Sequence, residues 1–414
     1  MMLSSPRHLT ANGDFDTIRP LKGGLTMGDR ILMTGVTGLV GSSVAVALVR
    51  DGVDCEFVCL ARGGLGSSAE ARVASAIRSE CEFGGVPDLA DKVLSRISVV
   101  DCDVAELDAD KLAGDPRVAR VNKVFHCAAD VNLGKDPTGR VFRINYEGTR
   151  RIVELAKRLA VQEFHFVATA YVAGRLKGVS YERTPSTEHG FNNPYEESKC
   201  KAELLVREAG LPFTIYRPAI IVGRAPDGRI RKPLAFYRIL EFLQKLKSHK
   251  AAKTGVDPSG WMELSMNCAT TPSSHIYFVP IDYVQAAIAH LFRLPARGET
   301  YHVTGSSPVS VWQIWDSTCG VMRIDGITVG DNAPRGTPEE KLFSKFIGDL
   351  FPYFSCEVIF DQANIRRDWP ECEKWTYGAE NLKEMVRSYL VDQFPNVAWV
   401  RKVVEKPQDR SPRT

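Results

Sequence analysis

Short apolar runs alternate with longer amphipathic stretches through the first two thirds of the chain. The apolar runs that predict strands lie at 30–34, 55–60, 97–102, 123–127, 163–168 and 213–217. The amphipathic stretches that predict helices lie at 42–50, 69–80, 140–159 and 195–208. Strands that alternate with helices in this order predict a parallel sheet covered by helices on both faces, which is a doubly wound α/β fold.

After Gly223 the pattern becomes less regular. A turn-rich loop at 224–230 and a helix at 234–246 precede a long polar stretch at 247–274, which we interpret as an irregular lid loop. The segments that follow predict a strand, a helix, a strand and three helices, at 276–279, 281–294, 300–304, 311–319, 338–350 and 380–392. This second part predicts a smaller, mostly C-terminal α/β domain.

The composition is that of an ordinary globular protein, with 44% apolar and 25% charged residues among 414. The formal net charge is only +3, which argues against a nucleic-acid binder with a broad basic surface. No apolar run approaches the roughly 20 residues of a membrane-spanning helix, and the first residues lack the features of a secretion signal. The ten cysteines contain no CxxC pair and no zinc-ligand spacing, which predicts reduced thiols in the cytoplasm and no metal site.

A glycine loop between the first predicted strand and the first predicted helix carries the strongest chemical signal. Gly35, Gly38 and Gly41 have the spacing G-x-x-G-x-x-G. Glycines there allow a tight turn and a close approach of the backbone to a diphosphate, which also meets the positive end of the following helix. The pattern predicts a Rossmann-type dinucleotide site, in which the other contacts are Thr37, Leu39 and Val40.

The end of the second predicted strand indicates which dinucleotide binds. An NAD site usually has an acidic residue there to hold the ribose 2′-hydroxyl. This chain has Arg62 instead, and Arg72 follows in the next helix. Because a guanidinium offers several donors to a 2′-phosphate, we predict NADPH as the cofactor. The alternative is that both arginines are solvated surface residues.

Residues after the later strands predict the rest of the cofactor site. Asp103 follows the third strand and can accept a hydrogen bond from the adenine amino group, with Val104 beside it. Pro218 and Ile221 follow the sixth strand. The small residues after the fourth strand leave room for the adenosine, although plain packing explains them equally well: Cys127, Ala128 and Ala129.

A tyrosine and a lysine supply the candidate catalytic chemistry. Tyr195 and Lys199 are four residues apart, so they share one face of a helix, and Lys199 can also hold ribose hydroxyls. The ammonium is expected to lower the tyrosine pKa from about 10, so that the phenol exchanges protons near neutral pH. Thr169, at the end of the fifth strand, offers a hydroxyl to a substrate carbonyl. Tyr171 is a competing tyrosine, but no lysine follows it four residues later.

Four motifs together resemble the extended short-chain dehydrogenase/reductase family: the glycine loop, 145–149 (NYEGT), the Tyr195–Lys199 pair, and 216–218 (YRP). Asn145 either braces and lines the cofactor site through its amide or makes only a backbone hydrogen bond. The stretches that resemble the thioester reductase and fatty acyl-CoA reductase branch, of the male-sterility type, are 60–62 with 71–72, 124–132, and 281–284 with 301–303. The likeness extends over residues 30–305.

This resemblance implies a cytoplasmic, NADPH-dependent oxidoreductase. Its substrate would be an acyl thioester on coenzyme A or on an acyl- or peptidyl-carrier protein, reduced to the aldehyde, and the sequence leaves open whether a second reduction gives the alcohol. Tyr195 would donate the proton, and Thr169 would help to stabilise the oxyanion. Two alternatives stay open: an NADP-dependent dehydrogenase of a ketone, hydroxyacyl or sterol-like substrate, and a non-catalytic NADPH-sensing or scaffolding protein.

We accordingly divide the chain into four parts. They are a flexible arm at 1–28, an NADP-binding Rossmann domain at 29–223, a substrate-binding and lid region at 224–405, of which 276–305 partly returns to the core, and a frayed end at 406–414. Several lysines of the third part either face solvent or receive a phosphate or the acidic surface of a carrier: Lys232, Lys245, Lys247, Lys250 and Lys253.

Overall fold

The computed structural model describes residues 28–64, 66–271, 273–330, 334–372 and 375–405. The predicted C-terminal segment 406–414 and, apart from Gly28, the predicted N-terminal arm lie outside these ranges. Within them, no helix combines the length and the apolar character that crossing a membrane requires.

The strands vary in length from two to eight residues. In chain order they are β1 Asp29–Thr34, β2 Cys55–Ala61, β3 Ile97–Asp101, β4 Lys123–His126, β5 Glu163–Val167, β6 Gly178–Ser180, β7 Phe213–Pro218, β8 Ile220–Val222, β9 Met262–Ala269, β10 His275–Ile276, β11 Phe278–Pro280, β12 Glu299–Val303, β13 Val309–Ser310, β14 Ile324–Gly330 and β15 Val358–Phe360.

The helices cover both faces of the sheet and most of the second half of the chain. In chain order they are α1 Leu39–Arg50, α2 Ala69–Phe83, α3 Leu89–Leu94, α4 Ala109–Ala113, α5 Arg140–Phe142, α6 Gly148–Arg158, α7 Pro194–Arg207, α8 Tyr237–Thr254, α9 Ile281–Leu291, α10 Val311–Met322, α11 Pro338–Ile347, α12 Ala363–Asp368, α13 Ala379–Gln393 and α14 Ala398–Glu405. Three 3₁₀ segments, at Pro116–Val118, Ala170–Ala173 and Gly348–Ser355, and a π-helical turn at Arg143–Glu147 complete the helical structure.

Seven strands form a central parallel sheet in the order β12-β7-β5-β4-β1-β2-β3. β1 lies inside the sheet. β2 and β3 extend the sheet from β1 to one edge, and β4, β5, β7 and β12 extend it to the other edge. This order confirms the predicted Rossmann-type α/β fold. Sheets of this kind bind ligands at the carboxyl ends of the two strands where the order reverses, and here those strands are β1 and β4.

Alternating side chains of the central strands enter two hydrophobic cores, one on each face. On β1, Ile31 and Met33 lie in the core that α1 and α9 cover, whereas Leu32 lies in the core of α6 and α7. Successive side chains of a strand point to opposite faces. Because both faces are covered, β1 has a continuous apolar run rather than an alternating pattern.

The chain after Gly223 packs into the first of these two cores. Leu243 of α8, Trp315 of α10 and Leu390 of α13 belong to the same cluster of buried side chains as Ile31. β9 and β14 pair in parallel within this part. Apart from β12, which is a strand of the central sheet, the chain after Gly223 is therefore an α/β layer built against one face of that sheet. The domain boundary at 223 stays a prediction.

The prediction of an irregular lid at 247–274 is wrong. α8 continues to Thr254, and β9 occupies Met262–Ala269. Lys247 is buried, and its ammonium donates to the carbonyl oxygens of Gly260, Met322 and Arg323 at 3.0, 2.5 and 3.0 Å. Three acceptors match the three N–H groups of an ammonium. Lys247 therefore secures α8 to the end of α10 and does not face a carrier.

Smaller differences concern the ends and continuity of elements. α1 begins at Leu39 rather than at residue 42, and the predicted helix 140–159 contains the π turn at Arg143–Glu147. The predicted strand 276–279 divides around Tyr277 into β10, which pairs with β13, and β11, which pairs with β8. These deviations lie next to the site described below.

Candidate active site

The glycine loop connects β1 to α1 at the point where the sheet order reverses. Gly35 has φ +75°, and a β-carbon there would lie 2.7 Å from the backbone of Cys127 and Ala128. A β-carbon at Gly41 would lie 2.3 Å from the Gly35 carbonyl oxygen. Gly35 thus lets the loop pack directly against the backbone that follows β4. Gly41 lets the first turn of α1 pack directly against the loop. A diphosphate fits such a cradle.

The start of α1 is electrically suited to an anion. Its N-cap is Gly38, no side chain caps it, and no acidic residue lies in its first turn. The unpaired N–H groups and the positive end of the helix dipole therefore face the loop without a protein counter-charge from this helix.

A buried hydrogen-bonded chain joins the ends of β1 and β4, and sequence reasoning missed it. Thr34 Oγ1 lies 2.6 Å from His126 Nδ1 and accepts from the Cys127 and Ala128 backbone N–H groups at 3.2 and 3.1 Å. His126 Nε2 lies 2.9 Å from Thr149 Oγ1. Burial lowers the pKa of His126 to about 3, so the imidazole is neutral and serves to hold the two strand ends together.

A cavity of about 890 Å³ opens along the carboxyl edge of the sheet. Gly41 and Asn145 lie outside its wall, whereas the other residues predicted from sequence line it. These are Gly35, Thr37, Gly38, Leu39, Val40, Arg62, Arg72, Asp103, Val104, Cys127, Ala128, Ala129, Thr169, Tyr195, Lys199, Pro218 and Ile221. The structure thus brings the glycine loop, the two arginines and the catalytic pair into one space.

Two arginines mark the end of this cavity beside β2. Arg72 donates hydrogen bonds to the carbonyl oxygens of Arg62 and Gly63, which fixes its guanidinium beside the backbone that follows β2. A second, open cavity of about 520 Å³ is lined by Arg62, Gly63, Gly64, Ser67 and Arg72. Two guanidiniums beside one open cavity suit an anionic group such as a phosphate.

Asp103 acts on Arg62 in this structure. Its Oδ2 lies 3.1 Å from Arg62 Nη1, and its Oδ1 accepts from the Ala105 backbone N–H at 2.9 Å. Both carboxylate oxygens therefore have partners, and Asp103 orients the arginine. The predicted contact between Asp103 and an adenine amino group stays a prediction.

Tyr195 and Lys199 lie on α7, which starts at Pro194. The N-cap residue Asn193 accepts the Glu196 backbone N–H at 3.0 Å, which sets the first turn and thus the direction of Tyr195. Tyr195 lines the cavity together with Thr169, which follows β5, and the Thr169 side chain is near enough to the phenol to affect its pKa. Lys199 is buried, donates to the Val167 carbonyl oxygen at 2.6 Å, and lies 4.2 Å from the centre of the Phe166 ring.

The predicted lowering of the tyrosine pKa is wrong for this structure. Burial raises the pKa of Tyr195 to about 12, against a smaller opposing effect of the Thr169 side chain. Burial also lowers the pKa of Lys199 to about 8. The ammonium is directed at the Val167 carbonyl rather than at the phenol. Tyr195 therefore keeps its proton at neutral pH, which suits a proton donor.

Asn145 braces the site from behind. Its Nδ2 donates to the Asp130 carbonyl oxygen and to Ser198 Oγ, both at 3.0 Å, and its Oδ1 accepts the Asp130 backbone N–H at 2.7 Å. Ser198 Oγ in turn donates to the Tyr195 carbonyl oxygen at 2.9 Å. The side-chain amide thus ties the segment after β4 to the catalytic helix, as the bracing interpretation predicted.

The cavity wall also contains apolar residues that no motif predicted, most of them from the second half of the chain, and we call the part of the cavity that they line the apolar arm. Tyr353, in the 3₁₀ segment Gly348–Ser355, lines this arm, and its hydroxyl lies 3.1 Å from Asn193 Nδ2. The C-terminal part of the chain thus touches the cap of the catalytic helix. The other large apolar residues of the arm are Ile144, Phe236, Ile239, Ile276, Phe278, Leu350 and Phe354.

The Rossmann sheet, the glycine loop at its reversal point, and the tyrosine, threonine and lysine that line the same cavity together define the class of protein. The protein is an oxidoreductase of the extended short-chain dehydrogenase/reductase type that uses a nicotinamide cofactor. The narrower assignment comes from the family comparison. Residues 33–288 match the NAD-binding family described as male sterility protein, and the chain belongs to that family.

The curated relatives include proteins that are much longer than this chain. The chain is 26% identical over 66% of its length to the non-canonical nonribosomal peptide synthetase FrzA of Cladobotryum sp.. It is 25% identical over 78% of its length to the carboxylic acid reductase of Mycobacterium marinum. The chain spans only 26% and 29% of the lengths of these relatives.

Solved structures show the same fold. The terminal R domain from the myxalamid PKS-NRPS pathway is 24% identical, with a TM-score of 0.66 over 90% of this chain and 92% of that domain. A thiolation-reductase di-domain from an archaeal non-ribosomal peptide synthetase is 20% identical, with a TM-score of 0.66 over 90% of this chain and 77% of that one. At these identities the likeness establishes the fold.

Proposed function

We propose that this protein is an NADPH-dependent reductase that converts an acyl thioester into an aldehyde. The observation that carries the proposal is that Tyr195 and Thr169 line one cavity together with the glycine loop and the apolar arm. Relatives named for carboxylic acid reduction and nonribosomal peptide synthesis support the thioester as substrate class.

The preference for NADPH rests on Arg62 and Arg72. Both line the cavity beside the end of β2, and Asp103 holds Arg62 in place. A 2′-phosphate brings negative charge that two guanidiniums neutralise, whereas a 2′-hydroxyl would leave them without an anion. The diphosphate belongs on the glycine loop and the start of α1.

When bound, the cofactor supplies the hydride. The hydroxyls of Tyr195 and Thr169 donate hydrogen bonds to the thioester oxygen and stabilise the negative charge that grows on it. Since burial raises the pKa of Tyr195 to about 12, the phenol is protonated and can deliver a proton. Loss of the thiol from the tetrahedral adduct leaves the aldehyde. Lys199 sits one helical turn from Tyr195, where its remaining N–H groups can bind ribose hydroxyls.

The apolar arm is suited to the acyl group. Phe236, Phe278 and Phe354 line it, so an aliphatic or aromatic acyl chain would lose its contact with water there. The thiol would belong to a phosphopantetheine arm, which coenzyme A and carrier proteins share.

The test measures NADPH oxidation and aldehyde formation by the full chain. The substrates are acyl-CoAs, the same acyl groups on an acyl-carrier protein, and a matched panel of ketones. We expect turnover with thioesters, its loss in Tyr195→Phe, and its retention in Tyr181→Phe, where the tyrosine is exposed and lies outside the cavity. Turnover of ketones alone would assign a different reaction to the same residues.

A further inference from the structure

The segment 231–236 connects the glycine loop to the apolar arm of the cavity. Its later residues, from Pro233 to Phe236, line the cavity, and Phe236 belongs to the apolar arm. Its first two residues, Arg231 and Lys232, reach back to the glycine loop. This segment comes from the second half of the chain, and the cofactor motifs do not include it.

Arg231 attaches the segment to the Rossmann half. Its Nε lies 2.8 Å from the Glu80 carboxylate on α2, and both side chains are buried, at 7% and 6% exposure. Its Nη2 donates to Ser42 Oγ at 2.5 Å and to the Gly38 carbonyl oxygen at 3.3 Å. These three partners hold Arg231 against the Rossmann half and place the next residue beside the start of α1.

Lys232 has a different environment. Its side chain lines the cavity, and its ammonium donates to the carbonyl oxygen of Thr37, in the middle of the glycine loop. The Glu80 carboxylate attracts this ammonium, but Glu80 is already paired with Arg231. The ammonium therefore has donors to spare at the place where the loop forms its cradle.

Positive charge accumulates around this ammonium. Burial lowers the pKa of Lys232, and the nearby charges of Arg231 and Arg72 lower it further. The start of α1 adds the positive end of a helix dipole and has no acidic residue in its first turn. Such a cluster is costly unless an anion joins it, and the phosphates of a dinucleotide supply one.

We infer that Lys232 binds the diphosphate of the cofactor and so fastens the segment 231–236 over the cavity before the acyl group enters. The diphosphate is the partner, rather than the 2′-phosphate, because Thr37 lies in the glycine loop, whereas Arg62 marks the end beside β2. The inference rests on the nicotinamide cofactor of the proposed function. It explains why Lys232, from the second half of the chain, reaches the glycine loop.

The first test is binding of NADPH and of NADH to the full chain, followed by fluorescence at several salt concentrations. Lys232→Met should weaken both cofactors by the same factor, about tenfold, and should make binding less sensitive to salt. Lys232→Arg should retain most of the affinity. The control Lys245→Met removes an exposed lysine that pairs with Glu241 and should change neither constant.

The second readout is hydrogen exchange of residues 233–236. Saturating NADPH should slow exchange there in the unchanged protein and should slow it less in Lys232→Met. Equal affinities in Lys232→Met and the parent, a loss confined to NADPH, or equal loss in the Lys245 control would each overturn the inference while leaving the proposed function intact. A parent protein that binds neither cofactor would overturn both.

Discussion

Tyr195, in the first turn of α7, and Thr169, just after β5, line the same cavity, and the Thr169 side chain is near enough to the phenol to oppose the rise of its pKa. Thr169 is held in turn by the backbone, since its Oγ1 lies 3.4 Å from the Pro218 carbonyl oxygen and 3.3 Å from the Tyr171 nitrogen. Both hydroxyls belong to residues that line the cavity, so both can donate to one carbonyl oxygen and stabilise an oxyanion there, once Thr169 turns its proton away from the Pro218 carbonyl.

Removal of the threonine hydroxyl tests this role. Thr169→Val should lower kcat about 100-fold, as expected for the loss of one oxyanion donor, and should leave the affinity for NADPH unchanged. Thr169→Ser keeps the hydroxyl and should keep most of the rate. Equal rates in the valine and serine variants would show that Thr169 acts only through packing.

The buried lysine makes stability depend on pH. The pKa of Lys199 falls from an ordinary 10.5 to about 8 in the folded state. Between these values the unfolded chain binds a proton that the folded chain has lost, so the free energy of unfolding rises with pH across this window. Denaturant unfolding at pH 7.5 to 10, compared with Lys199→Met, isolates this contribution. The stability difference between the two proteins should rise in favour of the parent, and a constant or falling difference would contradict the assignment.

Cofactor preference should depend on Arg72. Arg72→Met removes one of the two guanidiniums beside the open cavity at the end of β2 and should weaken NADPH about tenfold, with NADH within about twofold. The matched control is Arg78→Met on the same helix, where the arginine is exposed and pairs with Asp91 at 3.1 Å. A parallel loss for both cofactors would place the 2′-phosphate elsewhere.

Phe354 should limit the length of the acyl group. It lines the main cavity and also a neighbouring cavity of about 460 Å³, which Phe351 lines as well, although Phe351 does not reach the main cavity. Phe354→Ala should therefore shift the preferred substrate to longer acyl-CoAs, while Phe351→Ala should not. Each truncation is expected to cost about 3 kcal/mol of stability, so thermal unfolding should accompany the kinetics. An unchanged chain-length profile in a folded Phe354→Ala protein would remove Phe354 from this role.

Features that depend only on residues close together in the sequence could be predicted from it. The glycine spacing follows from the needs of one turn, and Tyr195 and Lys199 share a face because they are one helical turn apart. The apolar runs of β1 and β2 reflect burial on both faces of the sheet. These features required no knowledge of distant contacts.

Features that depend on contacts between residues far apart in the sequence could not be predicted from it. The sequence around Lys247 is that of a surface helix, and its burial depends on carbonyl groups at the distant end of α10. Tyr353 contacts Asn193, which is 160 residues earlier in the chain. The high pKa of Tyr195 follows from burial that the Tyr-x-x-x-Lys spacing does not reveal. One missed element did leave a signal, because the buried residues of β9 alternate with polar ones: Met262, Leu264, Met266 and Cys268.

Transfer of deuterium from NADPH labelled at C4 of the nicotinamide, on the transferable position, to an acyl-CoA or carrier-bound acyl thioester tests the account most directly. Mass spectrometry of the trapped aldehyde should show one deuterium at the former thioester carbon, with the product lost in Tyr195→Phe and present in Tyr181→Phe. Labelled product that persists in Tyr195→Phe, or label that enters ketones while every thioester stays unreacted, would contradict it.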